Sequence, residues 1–407
     1  MLNKKEIKKI RLNFPILYNK KFNNKIIYLD NASTTQKPKN LINSIKYYYY
    51  NYNSNINRYN NNLSNKTTIL INKTRNYIKK FINAKSKNEI IFTKNTTESI
   101  NLISNSLKFT KNNEIIITYL EHHSNILPWL KLKKIKKIKK INIININKKY
   151  NISLKDISKK LNKNTRLISI THISNVFGTI LPIKNIVKTI KRFNKQILIL
   201  LDGAQSIGHI PIDVQELNID YFVFSAHKIY GPTGLGILYG KKKKLKILKK
   251  YQLGGNMVKD VNLKRRLYLK IPNKFEAGTP NISSIISFYS VLKYLNKINL
   301  YNIYLYEKKI LDYIKYKLLK INKIILYGTD KINNSSILSF NIKNINSFDV
   351  GYILNNYGIY VRTGYHCAQP LFNKLNIKQG SIRISLGIYN NYNEIDKFIY
   401  YLLKIIN

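Results

Sequence analysis

Acidic side chains are scarce in this chain: 19 Asp and Glu stand against 71 Lys and Arg in 407 residues, a formal charge of +52. Cysteine is scarcer still. A single Cys excludes an internal disulfide framework and fits a reducing cytosol. No apolar run approaches the ~20 residues that a membrane helix needs. The first residues, MLNKKEIKKIRLNFP, lack the continuous apolar core of a secretory signal, so a soluble protein without a membrane partner is expected. Arginine is also rare among the basic residues. A position that keeps Arg where Lys abounds marks a need for a planar, bidentate donor, which singles out Arg58, Arg362 and Arg383.

The positive charge by itself suggests a polyanion partner. However, Asn, Lys, Ile and Tyr are inflated together, as in KYYYYNYNSNINRYNNN, and their codons are A/T-rich. Composition therefore accounts for the basicity, and no specific nucleic acid is expected. The lysine runs at 131–140 and 241–250 read as solvated faces, although their Ile and Leu residues leave an amphipathic alternative open.

The length suits a large domain and a smaller one. Short apolar runs end in polar clusters: NEIIFT at KNTTES, EIIITYL at EHHSN, RLISITHI at SNVFG, QILILL at DGAQS and YFVF at SAHK. Unbroken apolar strands are buried on both faces, the mark of a parallel sheet in an α/β fold. Residues just past their carboxyl ends converge on one crevice. After FEAGTPNISS a long helical stretch begins, followed by strand-like SILSFNI and GIYVRTG. These changes predict an N-terminal segment, 1–25, packing on a small C-terminal domain, 295–407, with a large domain over 26–294.

Asp202 follows five apolar residues, so its carboxylate lies in the crevice, where a cation must meet it. Lys228 stands at the next strand end. A lysine amine with an acidic partner for a ring nitrogen is what pyridoxal phosphate requires, although two such residues alone equally describe an ion pair. Thr96 and Thr97 open a helix, where free N–H groups favour a phosphate or serve a plain cap. Ser225 and His227 flank the lysine. His122, His123, His172, His227 and His366 all fall in strand-end motifs or beside the sole cysteine, which argues for chemistry. Zinc, the competing account, lacks four ligands at suitable spacing, and no metal is expected.

Nine stretches in order, YLDNASTTQKP, TTESINL, EHHSNILPW, THISNVFGT, LDGAQSIGHIPIDVQ, FSAHKIYGPTGLGILYG, FEAGTPN, VRTGYHCAQP and RISLGIYN, span most of the chain. Together they resemble the SufS-like, group II cysteine desulfurases of the class V, fold type I pyridoxal-phosphate enzymes. The resemblance implies a mostly parallel seven-stranded sheet in the large domain and a smaller α+β domain carrying a short cysteine loop. It implies Lys228 as the lysine that carries the cofactor, Asp202 at the ring nitrogen, Gln205 at the phenolate oxygen and His123 stacked on the ring. Thr97, Ser225 and His227 would hold the phosphate, with Thr279 reaching in from a second subunit of a homodimer. Asn175 and Arg383 would hold the carboxylate of L-cysteine, with Arg362 nearby. Lys228 would take the α-proton and Cys367 the sulfur, as a persulfide destined for iron–sulfur assembly through a SufE-like or SufU-like acceptor, with Arg362 and His366 lowering the thiol pKa. The setting would be the cytoplasm of an A/T-rich, reduced-genome bacterium, or an organelle stroma. The chain departs from the family at NRYNN, where only Arg58 survives of a His-Arg-Gly-x-His pattern, and at Ala226, Asn256 and Tyr365. A selenocysteine lyase on the same scaffold and a catalytically decayed, basic nucleic-acid-binding protein are the alternatives.

Overall fold

A computed structural model describes residues 2–19, 26–57, 60–148, 150–328 and 334–406; Arg58 lies outside them. Strand β1 (Ile27–Tyr28) precedes the strands of a seven-stranded sheet: β2 (Ile90–Thr93), β3 (Glu114–Thr118), β4 (Lys140–Ile144), β5 (Thr165–Thr171), β6 (Leu198–Asp202), β7 (Tyr221–Ser225) and β8 (Gly236–Gly240). Their order is β2-β8-β7-β6-β5-β3-β4. Only β8 runs against its neighbours. Strands β3, β6, β7 and β8 are buried end to end, because helices cover both faces and unbroken Ile, Leu, Val and Phe runs suit that environment. Helix Ile183–Phe193 shows the complementary pattern, with Ile183, Ile186, Val187 and Ile190 buried along one stripe.

An exposed hairpin, β9 (Val258–Val261) and β10 (Arg266–Tyr268), precedes two helices, Ile282–Ile298 and Leu300–Leu319. The sequence reads there as one helical stretch. It breaks at Asn299, whose left-handed φ of 74° ends the first helix while its side chain caps the Tyr301 N–H of the second. Strands β11 (Ile324–Tyr327), β12 (Ile337–Ile342), β13 (Ile359–Tyr360), β14 (Arg362–Gly364) and β15 (Ser381–Ser385) follow. Four of them form an antiparallel sheet in the order β11-β12-β15-β14, while β13 pairs in parallel with β1. The N-terminal helix, Lys4–Arg11, is tied to the C-terminal helix Tyr392–Ile406 by a buried Arg11–Glu394 ion pair at 2.7 Å.

The lysine-run ambiguity resolves toward solvated faces: Leu132, Ile138, Leu245 and Leu248 are buried in one apolar cluster while the neighbouring lysines face water. Several surface lysines lie over tyrosine rings, including Lys66 on Tyr52 at 4.0 Å, Lys250 on Tyr268 at 3.8 Å and Lys320 on Tyr316 at 4.2 Å. Among the described residues no helix is long and apolar enough to cross a membrane.

Candidate active site

Thr171, Asp202 and Ser225 are the last residues of β5, β6 and β7, so the sheet delivers them to one edge. They line a cavity of about 250 Å³ together with Lys228, from the turn after β7, and Arg362 and Arg383, from β14 and β15. Burial brings the Lys228 amine down to about 8; the Asp202 carboxylate opposes this, while Arg383 and Arg362 push the same way. Burial likewise raises Asp202, against an Ala204 N–H on Oδ1 at 2.9 Å and the charge of Lys228. Desolvation therefore dominates both groups and favours their neutral forms.

The anion-ready end of the cavity is the start of helix Thr96–Ser106. Asn95 caps it by accepting the Glu98 N–H at 2.9 Å. The Thr96 N–H donates to Ser225 Oγ at 2.8 Å, the two hydroxyls share a 2.7 Å bond, and the Thr97 and Ser124 hydroxyls share one at 2.8 Å. Gly236 lets β8 approach this turn: a Cβ there would lie 2.6 Å from Asn95 N. Ala226 sits in a short helical turn and is not among the left-handed residues, so its methyl is tolerated.

The structure does not bring His123 to the cavity. Its Nε2 accepts the Gln369 N–H at 3.1 Å and its own N–H donates to the Cys367 carbonyl at 2.7 Å. His122 lines the cavity instead. Its imidazole is brought down to about 3, mainly by burial and then by Lys228, and is neutral. His227 also lines the cavity and is brought down to about 4 by burial, Lys228 and Lys37. Gln205 reaches it with Nε2 on the Ala32 carbonyl at 2.9 Å. Thr279 does not line this cavity within its own chain; its hydroxyl accepts from Asn55 at 3.4 Å beside a neighbouring pocket.

At the other end, Arg383 is 1% exposed. Its Nη1 donates to the Asn175 carbonyl at 2.9 Å and Nη2 to Asp30 Oδ1 at 2.8 Å, while Nε has no partner among the described residues. Asn175 lines the cavity, with Nδ2 on the His366 carbonyl at 2.7 Å. Arg362 Nη2 reaches Cys367 Sγ at 3.2 Å. The expectation that His366 assists the thiol fails. Its Nε2 pairs with Ser381 Oγ at 2.9 Å, and burial holds the ring well below its ordinary pKa, so it is neutral and turned away. His366 and Cys367 adopt left-handed φ of 50° and 56°, a strained pair that fixes where the sulfur is presented.

Two contributions were not assigned from the sequence. Residues 30–37 bracket the site: Ser33 touches both arginines, and Thr34, Thr35 and Lys37 all donate to the His227 carbonyl. The density of small hydroxyls in ASTTQK after a strand was the available signal. Beneath His122, Glu121 is fully buried, accepting from the Thr118 hydroxyl at 2.7 Å and from Asn125 at 2.6 Å. Among the described residues no group of three or more His, Cys, Asp or Glu is placed to hold a metal.

The aminotransferase class-V family model matches residues 27–398. A cysteine desulfurase of Wigglesworthia glossinidia brevipalpis is 44% identical, over 98% of this chain and 97% of its own length. Other relatives are longer: the chain spans 57% of a probable cysteine desulfurase of Mycolicibacterium paratuberculosis, at 39% identity over 97% of this chain. Among solved structures, the apo cysteine desulfurase of Thermococcus onnurineus superposes with a TM-score of 0.93 at 32% identity, covering 98% of each chain.

Proposed function

This chain belongs to the class-V aminotransferase family, and from that membership and the geometry of its cavity we propose that it is a pyridoxal-phosphate-dependent cysteine desulfurase. The observation that carries the reading is a single cavity holding a buried amine, a buried carboxylate and an arginine in contact with the only thiol. The residues fit the cofactor: Lys228 is an amine desolvated to about 8, Asp202 is a buried carboxylate, and the hydroxyls of Thr96, Thr97 and Ser225 gather at a helix N-terminus. When bound, pyridoxal phosphate supplies an aldehyde for amine exchange and a ring that withdraws electrons from the substrate Cα.

The side chains divide the remaining work. With the cofactor bound, Asp202 would hold a proton at its ring nitrogen, Gln205 would meet its phenolate oxygen, and His122, which lines the cavity, would take the place expected of His123. Thr97, Ser225 and His227 would bind the phosphate, completed by Thr279 of a second copy in a homodimer. Arg383, beside Asn175 and Arg362 in the cavity lining, supplies the guanidinium that receives the substrate carboxylate. Lys228 Nζ, unprotonated in part near neutral pH, takes the Cα proton. Cys367 Sγ takes the substrate sulfur, so L-cysteine and the thiol become L-alanine and a Cys367 persulfide. The anchored loop suits the SufS-like group II enzymes, with a SufE-like or SufU-like acceptor, iron–sulfur assembly and a cytoplasmic setting. The proposed units are 1–25, 26–294 and 295–407; the second boundary falls inside helix Ile282–Ile298, shortly before the break at Asn299, and β1 reaches from the middle unit to pair with β13 of the last.

Two variants test the division of labour. Cys367→Ala should retain visible absorbance and exchange the Cα proton of L-cysteine with solvent, yet form no persulfide and release almost no alanine. Lys228→Ala should lose the exchange as well. Alanine release by Cys367→Ala near the parent rate would overturn the assignment.

A further inference from the structure

We propose that Ser33 is a positioning residue whose hydroxyl couples Arg383 to Arg362, and through Arg362 to the Cys367 sulfur. The inference rests on the desulfurase reading only for what Arg383 binds; the contacts stand without it. Ser33 Oγ donates to Asp30 Oδ1 at 2.8 Å and accepts from Arg362 Nη1 and Arg383 Nη2, each at 3.1 Å. A hydroxyl has one proton and two lone pairs, so this one is fully used. Two guanidinium groups repel one another. Here a shared neutral oxygen and the Asp30 carboxylate, which also accepts from Arg383 Nη2 at 2.8 Å, hold both in place.

The geometry then transmits position. A guanidinium is a rigid planar fork, so anchoring Arg362 Nη1 on Ser33 sets Nη2, the group 3.2 Å from Cys367 Sγ. Ser33 also lines the cavity, where a bound carboxylate meets it directly. A ligand that draws Arg383 Nη2 away from Ser33 alters the hold on Arg362, and the sulfur senses an occupied anion site through one hydroxyl. Sequence comparison of motifs does not reveal this, because Ser33 is neither charged nor nucleophilic in its setting.

Cys367 is the only cysteine, so alkylation by iodoacetamide reports on this sulfur in the holoenzyme without turnover. Ser33→Ala should slow alkylation at neutral pH about fivefold, the scale of one lost hydrogen bond that positions a charged group. Ser33→Thr, which keeps the hydroxyl, should restore the parent rate. Arg362→Lys, which cannot span both partners, should be as slow as Ser33→Ala, and adding Ser33→Ala to it should change nothing further. A parent rate in Ser33→Ala or in Arg362→Lys, or a Thr variant as slow as the Ala variant, would overturn the coupling. Slowed alkylation in a protein that releases no alanine from L-cysteine would support the coupling and reject only the activity.

Discussion

Glu121 has its acid–base chemistry altered by burial more than by any partner. Burial raises its carboxyl to about 8, against hydrogen bonds from Thr118, Asn125 and the Thr171 N–H, with Asp202 adding to the rise. The folded value lies above the ordinary 4.5, so the stability that this group contributes is fully present below about 4.5 and is lost as pH rises through about 8. Glu121→Gln cannot titrate. Its unfolding free energy relative to the parent, measured by urea denaturation, should therefore improve from about pH 5 to about pH 8; a difference independent of pH would refute the assignment. Residue identity was partly legible in the sequence. The scarcity of arginine marked Arg362 and Arg383, and both line the cavity with their two Nη groups on different partners, a span that Lys cannot supply. The same scarcity applied to Arg75, whose two Nη groups grip Glu276 at 2.7 and 2.8 Å, but no motif drew attention to it. Choosing between His122 and His123 was beyond composition, since adjacent residues differ only in which way a short helical turn faces.

Elements were easiest to read where burial is complete. The runs that became β3, β6 and β7 have unbroken apolar cores, and β5 is interrupted only by Ser169, so their carboxyl ends, and hence Asp202 and Lys228, could be placed in one crevice. Strand β4 escaped because it forms the sheet edge with exposed positions inside a lysine-rich stretch, and Asn299 escaped because its left-handed turn leaves the apolar period on both sides intact. Two predictions belong at this scale. Gly236→Ala would drive a methyl into the Asn95 backbone and displace the helix start, so cofactor affinity, followed by absorbance on dialysis, should weaken about tenfold while the fold persists; unchanged retention would refute the anion-site role. Arg11→Met leaves Glu394 buried without its cation and should destabilise the protein by about 3 kcal/mol in urea denaturation. A change below about 0.5 kcal/mol would mean that the N-terminal helix is held by its apolar face alone.

At the scale of the whole molecule, +52 on 407 residues makes self-repulsion the dominant long-range force. Salt should therefore raise the melting temperature from about 0.02 M to about 0.2 M, as the screening length shortens toward ~8 Å. A melting temperature that falls would show that attractive ion pairs prevail. Binding to DNA, read by fluorescence anisotropy, should be independent of sequence and fall steeply with salt; tight binding that survives competitor DNA at physiological salt would revive a nucleic-acid role. The lysines lying over tyrosine rings carry a further consequence. Such a lysine satisfies its ammonium without a carboxylate, so the surface gains cations that are locally content and offers few anionic patches to a neighbouring molecule. The molecule is in this respect a charged colloid: dimers should stay dispersed from one another at high concentration, and a long polyanion should draw them into liquid coacervate droplets at low salt and release them when counterions return.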